Sequence, residues 1–287
     1  MRKKLLSIYK KINKVFLGTG IRRFKIIKAI DNFIARFLKS NFTIIQGQKM
    51  FLDSEDSLRL SLSGVYEPFE TKIIKSVIKK DNTVIDIGAN IGYYTLLFAK
   101  LVGRNGKIIA FEPDPDNFFL LKKNVEINGY KNATLIQKAV SNKIGTTKLY
   151  LHKNDKKQHS IYNSNNSRKS IEIESTRADN YINEKVDLIK IDIEGAEGET
   201  IKGMKNLLKK NKKIKIITEF SPCSLENSSV KSKEFLELLI GHNFKLYEIN
   251  EPKKELKQTS PTKLLKAYTI RNRKGTNLLC VRQIMVK

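Results

Sequence analysis

Acidic and glycine residues cluster at the turn that follows one short apolar run. Asp86 ends that run, and Gly88, Asn90 and Gly92 come next, before the helical pattern of residues 93–100. This order predicts a strand, a tight turn and a helix, which is how a nucleotide-binding βαβ unit begins. Glycines suit such a turn because they adopt positive φ and let the backbone approach a ligand without obstruction by a Cβ atom.

A second apolar run, residues 106–111, closes this unit and ends at Glu112. Glu112 lies 24 residues after Gly88 (112 − 88). Nucleotide-binding α/β folds place a carboxylate at about this position to accept hydrogen bonds from ribose hydroxyls. We therefore expect Glu112 to bind a ribose.

The chemistry of the turn separates two cofactors. A dinucleotide site uses Gly-x-Gly-x-x-Gly, whose middle glycine admits the pyrophosphate. The corresponding position here is Asn90, which has a side chain, and Asp86 would repel a pyrophosphate. S-adenosylmethionine carries a cationic amino group, a sulfonium and no phosphate, so an acid near the turn favours it. The charges therefore predict S-adenosylmethionine rather than a dinucleotide.

Several segments together resemble the FkbM family of class I methyltransferases. The main ones are residues 86–95, Phe111-Glu112-Pro113 with Asn117, and residues 187–197 with their Asp-x-Glu-Gly-x-Glu sequence. Shorter segments that also fit are residues 139–141, 176–179 and 277–281, and the resemblance covers about residues 65–285. One departure is Arg177-Ala178, where similar proteins usually have Leu-Asp. This departure concerns packing before the fourth core strand rather than the site.

The resemblance implies the cofactor and its contacts. S-adenosyl-L-methionine would lie with its methionine end on the turn and its adenine near the third strand. The residues implied for the methionine end are Asp86, Gly88, Asn90 and Gly92; Glu112 is implied for the ribose, and Asn117 and the Ala139 backbone for the adenine side.

Further carboxylates follow the fourth and fifth core strands. Methyl transfer from a sulfonium is an in-line displacement, and a hydroxyl acceptor also needs a group that takes its proton. Asp192 ends the fourth strand and is our first candidate, followed by Glu194 and Glu197, with Glu219 at the end of the next strand. The alternative role for these acids is to cap the helix that begins near residue 196, whose N-terminus favours negative charge.

Strand and helix patterns alternate along the chain, which predicts an α/β fold with a doubly wound sheet. The resemblance adds that the sheet is mostly parallel and seven-stranded. Residues 42–45 and 48–52 predict a small hairpin before the core. Later predictions are a strand at 146–151, a mobile polar loop at 154–169, one helix at 196–210, a polar excursion at 251–263, and a last hairpin joining 268–270 to 278–282.

Positive charge is far above that of an ordinary protein, with a formal net charge of +26. The first forty residues hold twelve Lys or Arg and only Asp31 as an acid, and their apolar residues repeat with helical spacing on both sides of residues 18–20. We therefore predict that residues 1–40 form a basic amphipathic helical extension and residues 41–287 a methyltransferase domain. Two alternatives stay open for the extension: docking on the domain, or peripheral contact with an anionic membrane.

Several other features of the sequence do not indicate a functional site or a membrane span. Cys223 and Cys280 lie far apart, form no metal or disulfide pattern, and are expected to be buried thiols. The three histidines show no ligand spacing; His159 lies in the predicted mobile loop, where a solvated position is favoured over contact with a substrate. Asp192, Glu194 and Glu219 offer oxygen ligands of the kind that Mg²⁺ prefers, but their spacing is not diagnostic, and we predict no metal site. No apolar run approaches the ~20 residues of a membrane span, and no signal-peptide pattern is present. A cytoplasmic location is expected, with peripheral membrane association as the open alternative.

The sequence therefore predicts an S-adenosylmethionine-dependent methyltransferase. The resemblance alone implies O-methylation of a hydroxyl on a saccharide, glycolipid or secondary metabolite, so the partner is a small-molecule or glycan acceptor. The positive charge leaves two alternatives open, an RNA methyltransferase and a non-catalytic membrane-surface protein. No RNA-binding module is recognisable in the sequence, which weighs against nucleic acid. The charge also has a plain explanation, the compositional bias of an organism rich in Lys, Ile and Asn.

Overall fold

A computed structural model describes residues 42–152, 159–163 and 168–282. The described residues form two compact units, which divide between Tyr66 and Glu67. The helical extension predicted for residues 1–40 lies outside the described residues. No helix in the described part of the chain is long and apolar enough to cross a membrane.

The first unit contains the predicted hairpin. Strand β1 (Phe42–Ile45) pairs with the antiparallel strand β2 (Gln48–Phe51), and a short helix α1 (Leu60–Ser63) follows. Gln46 and Gly47 join the strands with φ angles of 51° and 80°, as a two-residue turn that matches strand twist requires. The prediction of a hairpin ahead of the core is confirmed.

The second unit alternates helices and strands. In chain order its elements are α2 (Pro68–Val77), β3 (Thr83–Ile87), α3 (Tyr93–Val102), β4 (Lys107–Phe111), α4 (Pro115–Ile127), β5 (Ala133–Ile136), β6 (Ala139–Val140), β7 (Gly145–Tyr150), β8 (Ser170–Thr176), β9 (Leu188–Ile191), α5 (Glu197–Lys202), α6 (Lys205–Lys210), β10 (Lys215–Phe220), α7 (Pro222–Leu225), α8 (Ser232–Gly241), β11 (Phe244–Asn250), β12 (Glu255–Thr259), α9 (Pro261–Ala267) and β13 (Thr276–Arg282).

Eight of these strands form the central sheet, in the order β12-β11-β13-β10-β9-β3-β4-β5. The pairs from β10 to β5 are parallel, and β13 lies antiparallel between β10 and β11. The carboxyl ends of β3, β4, β9 and β10 therefore meet along one edge of the sheet, which is where ligands bind in such folds. The predicted doubly wound, mostly parallel sheet is confirmed, and β12 adds an eighth strand to the predicted seven.

Three predictions about the last third of the chain are wrong. Residues 255–259, predicted as part of a polar excursion, form β12; the strand is almost wholly exposed, so it is built on main-chain pairing with β11 and carries no apolar pattern. Residues 268–270 form no strand, because β13 pairs with β10 and β11 instead of closing a local hairpin. The predicted helix at 196–210 is two helices, α5 and α6, separated at Gly203 and Met204.

A smaller sheet lies apart from the central one, in the order β6-β8-β7. The strand predicted at 146–151 corresponds to β7, which pairs antiparallel with β8. The sequence analysis missed β8 because it follows the polar segment that was predicted to be a loop. Cys280 is buried in β13 as expected, whereas Cys223 is partly exposed.

Candidate functional site

A pocket opens at the carboxyl ends of β3, β4 and β9. The empty space inside it is about 590 Å³, a figure that includes open solvent at its mouth. Six of the sequence-predicted site residues line it: Gly88, Asn90, Glu112, Asn117, Ala139 and Asp192. Its apolar walls include Phe111, Pro113, Val140, Leu149 and Ile161. The sequence therefore predicted most of the polar lining, and the fold brings it together.

The turn after β3 is held in a conformation that favours glycine. Gly88 and Gly92 have φ angles of 83° and 94°, and Asn90 has a φ angle of 52°. A Cβ atom on Gly88 would lie 2.0 Å from the backbone oxygen of Asp192, and one on Gly92 would lie 2.7 Å from Leu121 Cδ1. The expected positive φ angles are present. The space that the missing side chains leave is filled by neighbouring protein, which lets the end of β9 pack against the turn.

Glu112 is fixed by backbone groups on both sides of the pocket. Its Oε2 accepts a hydrogen bond of 2.7 Å from the Asn90 N–H, and its Oε1 accepts one of 3.0 Å from the Asp114 N–H. Burial raises the pKa of Glu112 to about 8, although these two hydrogen bonds oppose the shift. A carboxylate oxygen can accept more than one hydrogen bond, so both oxygens remain able to accept from a ligand hydroxyl.

The side of the pocket near Asn117 contains an unsatisfied acceptor. Asp114 caps α4 by accepting the Asn117 N–H at 2.8 Å, which fixes the backbone there. The Asn117 side chain is buried, and its Oδ1 has no hydrogen-bond partner among the described residues. A buried acceptor of this kind normally has a donor. A ligand amino or hydroxyl group in the pocket would supply one.

His159 also lines this side, and the prediction of a solvated position is wrong. Its side chain is only 9% exposed, and its Nδ1 lies 3.2 Å from Asp114 Oδ2. The neighbouring Ser160 forms a bridge with Tyr150 and donates a 2.8 Å hydrogen bond to the Glu194 backbone oxygen. These contacts hold residues 159–160 over the pocket. Sequence reasoning missed this because the flanking residues are polar and show no apolar period.

Asp86 lies within β3 beneath the turn rather than on the pocket wall. It is 1% exposed, and its Oδ2 accepts a 2.6 Å hydrogen bond from Thr95 Oγ1 of α3. Burial raises the pKa of Asp86 to about 6, while the Thr95 hydrogen bond and Lys190 lower it. This geometry makes Asp86 a support of the turn.

Asp192 joins the pocket to a buried charged network behind it. Its side chain is 34% exposed and lines the pocket, and its Oδ2 accepts a hydrogen bond of 2.8 Å from Lys190 Nζ. Lys190 belongs to β9, faces the same side of the strand as Asp192, and was not predicted as a site residue. The signal was present in the sequence as a lone lysine in the apolar segment Leu188-Ile189-Lys190-Ile191.

The other predicted carboxylates surround the turn after β9. Glu194 has a φ angle of 47°, and its Oε2 accepts a hydrogen bond from Ser224 Oγ at 3.1 Å. Glu197 is the first residue of α5 and accepts the Gly195 N–H of the preceding turn at 3.1 Å, and burial raises its pKa to about 7. Glu219 has a buried Oε2 without a hydrogen-bond partner among the described residues, and burial with nearby Glu194 raises its pKa well above the usual range.

In the described part of the chain, no three His, Cys, Asp or Glu side chains form a group that could hold a metal ion. The pocket wall instead fits an adenosine. The Glu112 carboxylate can accept hydrogen bonds from ribose hydroxyls, Asn117 offers a further hydrogen-bond acceptor, and the apolar side chains can pack against a base. The residues present therefore fit S-adenosylmethionine.

Comparisons with known proteins agree with this geometry. A family model described as the Methyltransferase FkbM domain matches residues 86–246, which is more than half of the chain. The chain is 26% identical over 147 residues to Methyltransferase 1 of Beauveria bassiana, covering 43% of this chain and 59% of that protein. The chain therefore spans less than two thirds of that relative's length.

Two further relatives align over most of both chains. The chain is 25% identical over 230 residues to 2-O-methyltransferase NoeI of Sinorhizobium fredii, covering 72% of this chain and 89% of that protein. It is 24% identical over 216 residues to hexuronic acid methyltransferase AglP of Haloferax volcanii, covering 71% of this chain and 80% of that protein.

Proposed function

The chain belongs to the FkbM family of methyltransferases, and from this premise we propose that it methylates a hydroxyl oxygen of a saccharide-type acceptor, with S-adenosylmethionine as the methyl donor. The observation that carries the proposal is that the family match includes the whole polar lining of one pocket, from Gly88 to Asp192. The saccharide class is supported by two relatives, the 2-O-methyltransferase NoeI and the hexuronic acid methyltransferase AglP.

The chain's own residues divide the work of binding. Glu112 accepts the two ribose hydroxyls, because its oxygens are already fixed by the amides of Asn90 and Asp114. Asn117 Oδ1 accepts a hydrogen bond from the adenosine, which satisfies the buried acceptor. The apolar side chains near Ala139 and Val140 exclude water from the base.

The reacting end lies where Asp192 meets the turn. Bound S-adenosylmethionine supplies a methyl group open to in-line displacement by an oxygen nucleophile. Asp192 is the residue that accepts the proton of the acceptor hydroxyl, since its carboxylate is partly exposed and lines the pocket. Glu194 and Glu219 lie further along the same edge, at the ends of adjacent strands, where they contribute hydrogen-bond acceptors for the acceptor's other hydroxyls.

Transfer of an isotopically marked methyl group tests the proposal. The purified chain is incubated with trideuteromethyl S-adenosylmethionine and a panel of hexuronic acids, hexosamine oligosaccharides and total RNA, and each product is examined by mass spectrometry. The expected result is a deuterated methyl ether on one saccharide class. Labelling of RNA alone, or of no acceptor by a protein that binds the cofactor, contradicts the proposed acceptor.

Two variants assign the proton acceptor. Asp192→Asn should still bind S-adenosylhomocysteine but lose at least about 100-fold in transfer rate, the usual contribution of a general base. Asp81→Asn changes an exposed aspartate just before β3, at the other end of the strands, and should leave the rate unchanged. Equal rates for the two variants would remove Asp192 from the chemistry.

A further inference from the structure

The one lysine in the apolar segment of β9 is buried within a network of carboxyl groups. Lys190 has a side chain that is only 3% exposed, although a buried ammonium is costly unless it is paired. It contacts Asp192 at 2.8 Å, and its Nζ lies 3.6 Å from Glu70 Oε1 and 4.4 Å from the centre of the Tyr94 ring. Three different elements therefore converge on this one charge.

The acids behind Lys190 are hydrogen-bonded to several elements. Asn277 of β13 donates to both Glu67 Oε1 and Glu70 Oε2, and Tyr94 donates its hydroxyl to Glu67 Oε2 at 3.0 Å. Glu251 accepts the backbone N–H groups of Phe69 and Glu70, at 2.8 and 3.0 Å, and so fixes the first turn of α2. The ammonium consequently has one position, and Asp192 is the partner that continues from it into the pocket.

Lys190 is the positively charged group in this network of acids. Burial alone would lower the pKa of Lys190, but Asp192, Glu70 and Glu67 raise it above its ordinary value. Burial raises the pKa of Glu67 to about 8, and burial likewise raises the pKa of Glu70, so these two acids take up protons more readily than exposed ones. The titratable groups that face Lys190 and Asp192 from the surrounding elements are Glu67, Glu70, Asp86, Tyr94, Glu194, Glu197 and Glu219.

We propose that Lys190 is a positioning residue that binds one oxygen of the Asp192 carboxylate and so holds this carboxylate against the reacting end of the cofactor pocket. The ammonium binds one oxygen of Asp192, and the carboxylate presents its negative charge to the pocket beside the sulfonium. This inference rests on the proposed function, since it assigns the sign of charge that the methyl donor meets. It accounts for a buried lysine that does not line the pocket but contacts Asp192, which does.

A purely structural role gives a different expectation. Removing one partner of a buried ion pair lowers stability whatever the role of the lysine, whereas a lysine that only fills space would leave ligand preference unchanged in the folded protein. The test therefore compares two ligands that differ in charge at one atom. Sinefungin carries a protonated amine where the cofactor has its methylsulfonium, and S-adenosylhomocysteine is neutral there.

The measurement is the ratio of the two dissociation constants, obtained by calorimetry on the full chain, and this pair of constants is the binding profile of each variant. The wild-type chain should favour sinefungin, because the Asp192 carboxylate lies beside the charged atom. In Asp192→Asn this preference should be about tenfold weaker. In Lys190→Gln the preference should fall towards that of Asp192→Asn, because the carboxylate is no longer held in place.

Matched variants separate charge from packing. Lys202→Gln removes a partly exposed lysine paired with Glu234 and should reproduce the wild-type profile. Lys190→Arg keeps the charge and should restore the wild-type profile. If Lys190→Gln binds neither ligand, the arginine variant decides: restored binding and preference support the proposal, and failure to restore them overturns it.

The outcomes keep the two proposals apart. A wild-type chain that binds neither ligand contradicts the proposed function. A wild-type chain that binds both, with a Lys190→Gln profile that coincides with the wild-type profile, overturns the role of Lys190 and leaves the methyltransferase proposal standing.

Discussion

The two edges of the parallel sheet differ in residue type and in burial. At the carboxyl edge, Glu112, Asp114 and Glu197 are buried and accept backbone or side-chain hydrogen bonds. At the amino edge the strands are preceded by exposed basic residues, which we call the basic edge: Lys79, Lys80, Arg104, Lys107, Lys131, Lys185, Lys212 and Lys213. Backbone hydrogen bonds from Lys107 to Asn82, and from Asp187 to Thr83, place these loops side by side.

This contrast shows which charges can do chemistry. A buried, hydrogen-bonded carboxylate has a fixed position and a shifted pKa, so it can orient a ligand or accept a proton. An exposed lysine is screened by salt and contributes little to stability or to a site some distance away. The exposed lysines of the basic edge contribute to the net charge of +26, whereas the acids around the pocket are buried or partly buried.

The largest effect on ligand binding is expected from a substitution in the turn after β3, which packs against the end of β9. Gly88→Ala should weaken S-adenosylhomocysteine binding by more than about 100-fold, because the new Cβ would lie 2.0 Å from the Asp192 backbone oxygen. Gly129→Ala is the matched control: its φ angle of 71° is equally unfavourable for alanine, but nothing lies within 4 Å. Calorimetry that finds the same affinity in both variants would show that the turn does not shape the pocket.

The next largest effect on ligand binding is expected when Glu112, the residue proposed to bind the ribose hydroxyls, is replaced. Glu112→Gln should weaken S-adenosylhomocysteine binding by about 10- to 100-fold, since charge-assisted hydrogen bonds contribute roughly 1.5–3 kcal/mol each. In addition, the new NH₂ group would face the N–H of either Asn90 or Asp114. Glu126→Gln, at an exposed position on α4, should bind as the wild type does. A loss shared by both variants would point away from Glu112.

Binding should also release a proton near neutral pH. The free protein holds a proton on Glu112, whose pKa is about 8, and ribose hydroxyls favour the ionised form. We expect up to about one proton released at pH 7, and affinity that rises with pH until about pH 8. Calorimetry in buffers with different ionisation enthalpies measures this release, and Glu112→Gln should reduce it. A heat of binding that is the same in every buffer would contradict the assignment.

The same shift sets the sign of the stability profile. Because the pKa of Glu112 is raised above 4.5 in the folded chain, its contribution favours the folded state at low pH and is lost as the pH rises towards 8. The melting temperature of the ligand-free wild type should therefore fall across this window more than that of Glu112→Gln. Parallel melting curves for the two proteins would contradict the burial of this carboxyl group.

The smallest effect is expected at the basic edge. Replacing Lys79, Lys80, Lys212 and Lys213 by Gln should change S-adenosylhomocysteine affinity by less than about twofold. The five residues of β3 separate the two edges by about 16 Å, which exceeds the ~8–10 Å screening length in physiological salt. The variant should elute earlier from a cation exchanger. A change in affinity above about fivefold would mean that the two edges are coupled electrostatically.

Local sequence was sufficient to predict the strand, turn and helix around Gly88 and the position of Glu112 at the end of the next strand. Both belong to one βαβ unit, in which these elements are adjacent in the chain. Period, turn chemistry and spacing therefore carry most of the information. The order of the central strands was not predicted, because alternation of elements alone does not specify which strand lies next to which.

The reacting side depends on contacts between distant parts of the chain. Lys190 meets Glu70 across 120 residues (190 − 70), and Asn277 reaches Glu67 across 210. The periodicity of the local sequence does not reveal contacts between distant residues, although a lysine inside an apolar strand indicates that it has a buried partner. The exposed strand β12 escaped prediction for a related reason, since its pairing with β11 needs no apolar side chains.

The carboxyl edge of the sheet is expected to bind a sulfonium nucleoside and to reject diphosphates. Parallel calorimetric titrations of the wild-type chain with S-adenosylhomocysteine and with NAD distinguish the two kinds of ligand. We expect saturable binding of S-adenosylhomocysteine that is strongly weakened in Glu112→Gln, together with no binding of NAD. Tight binding of NAD and no binding of S-adenosylhomocysteine would contradict it.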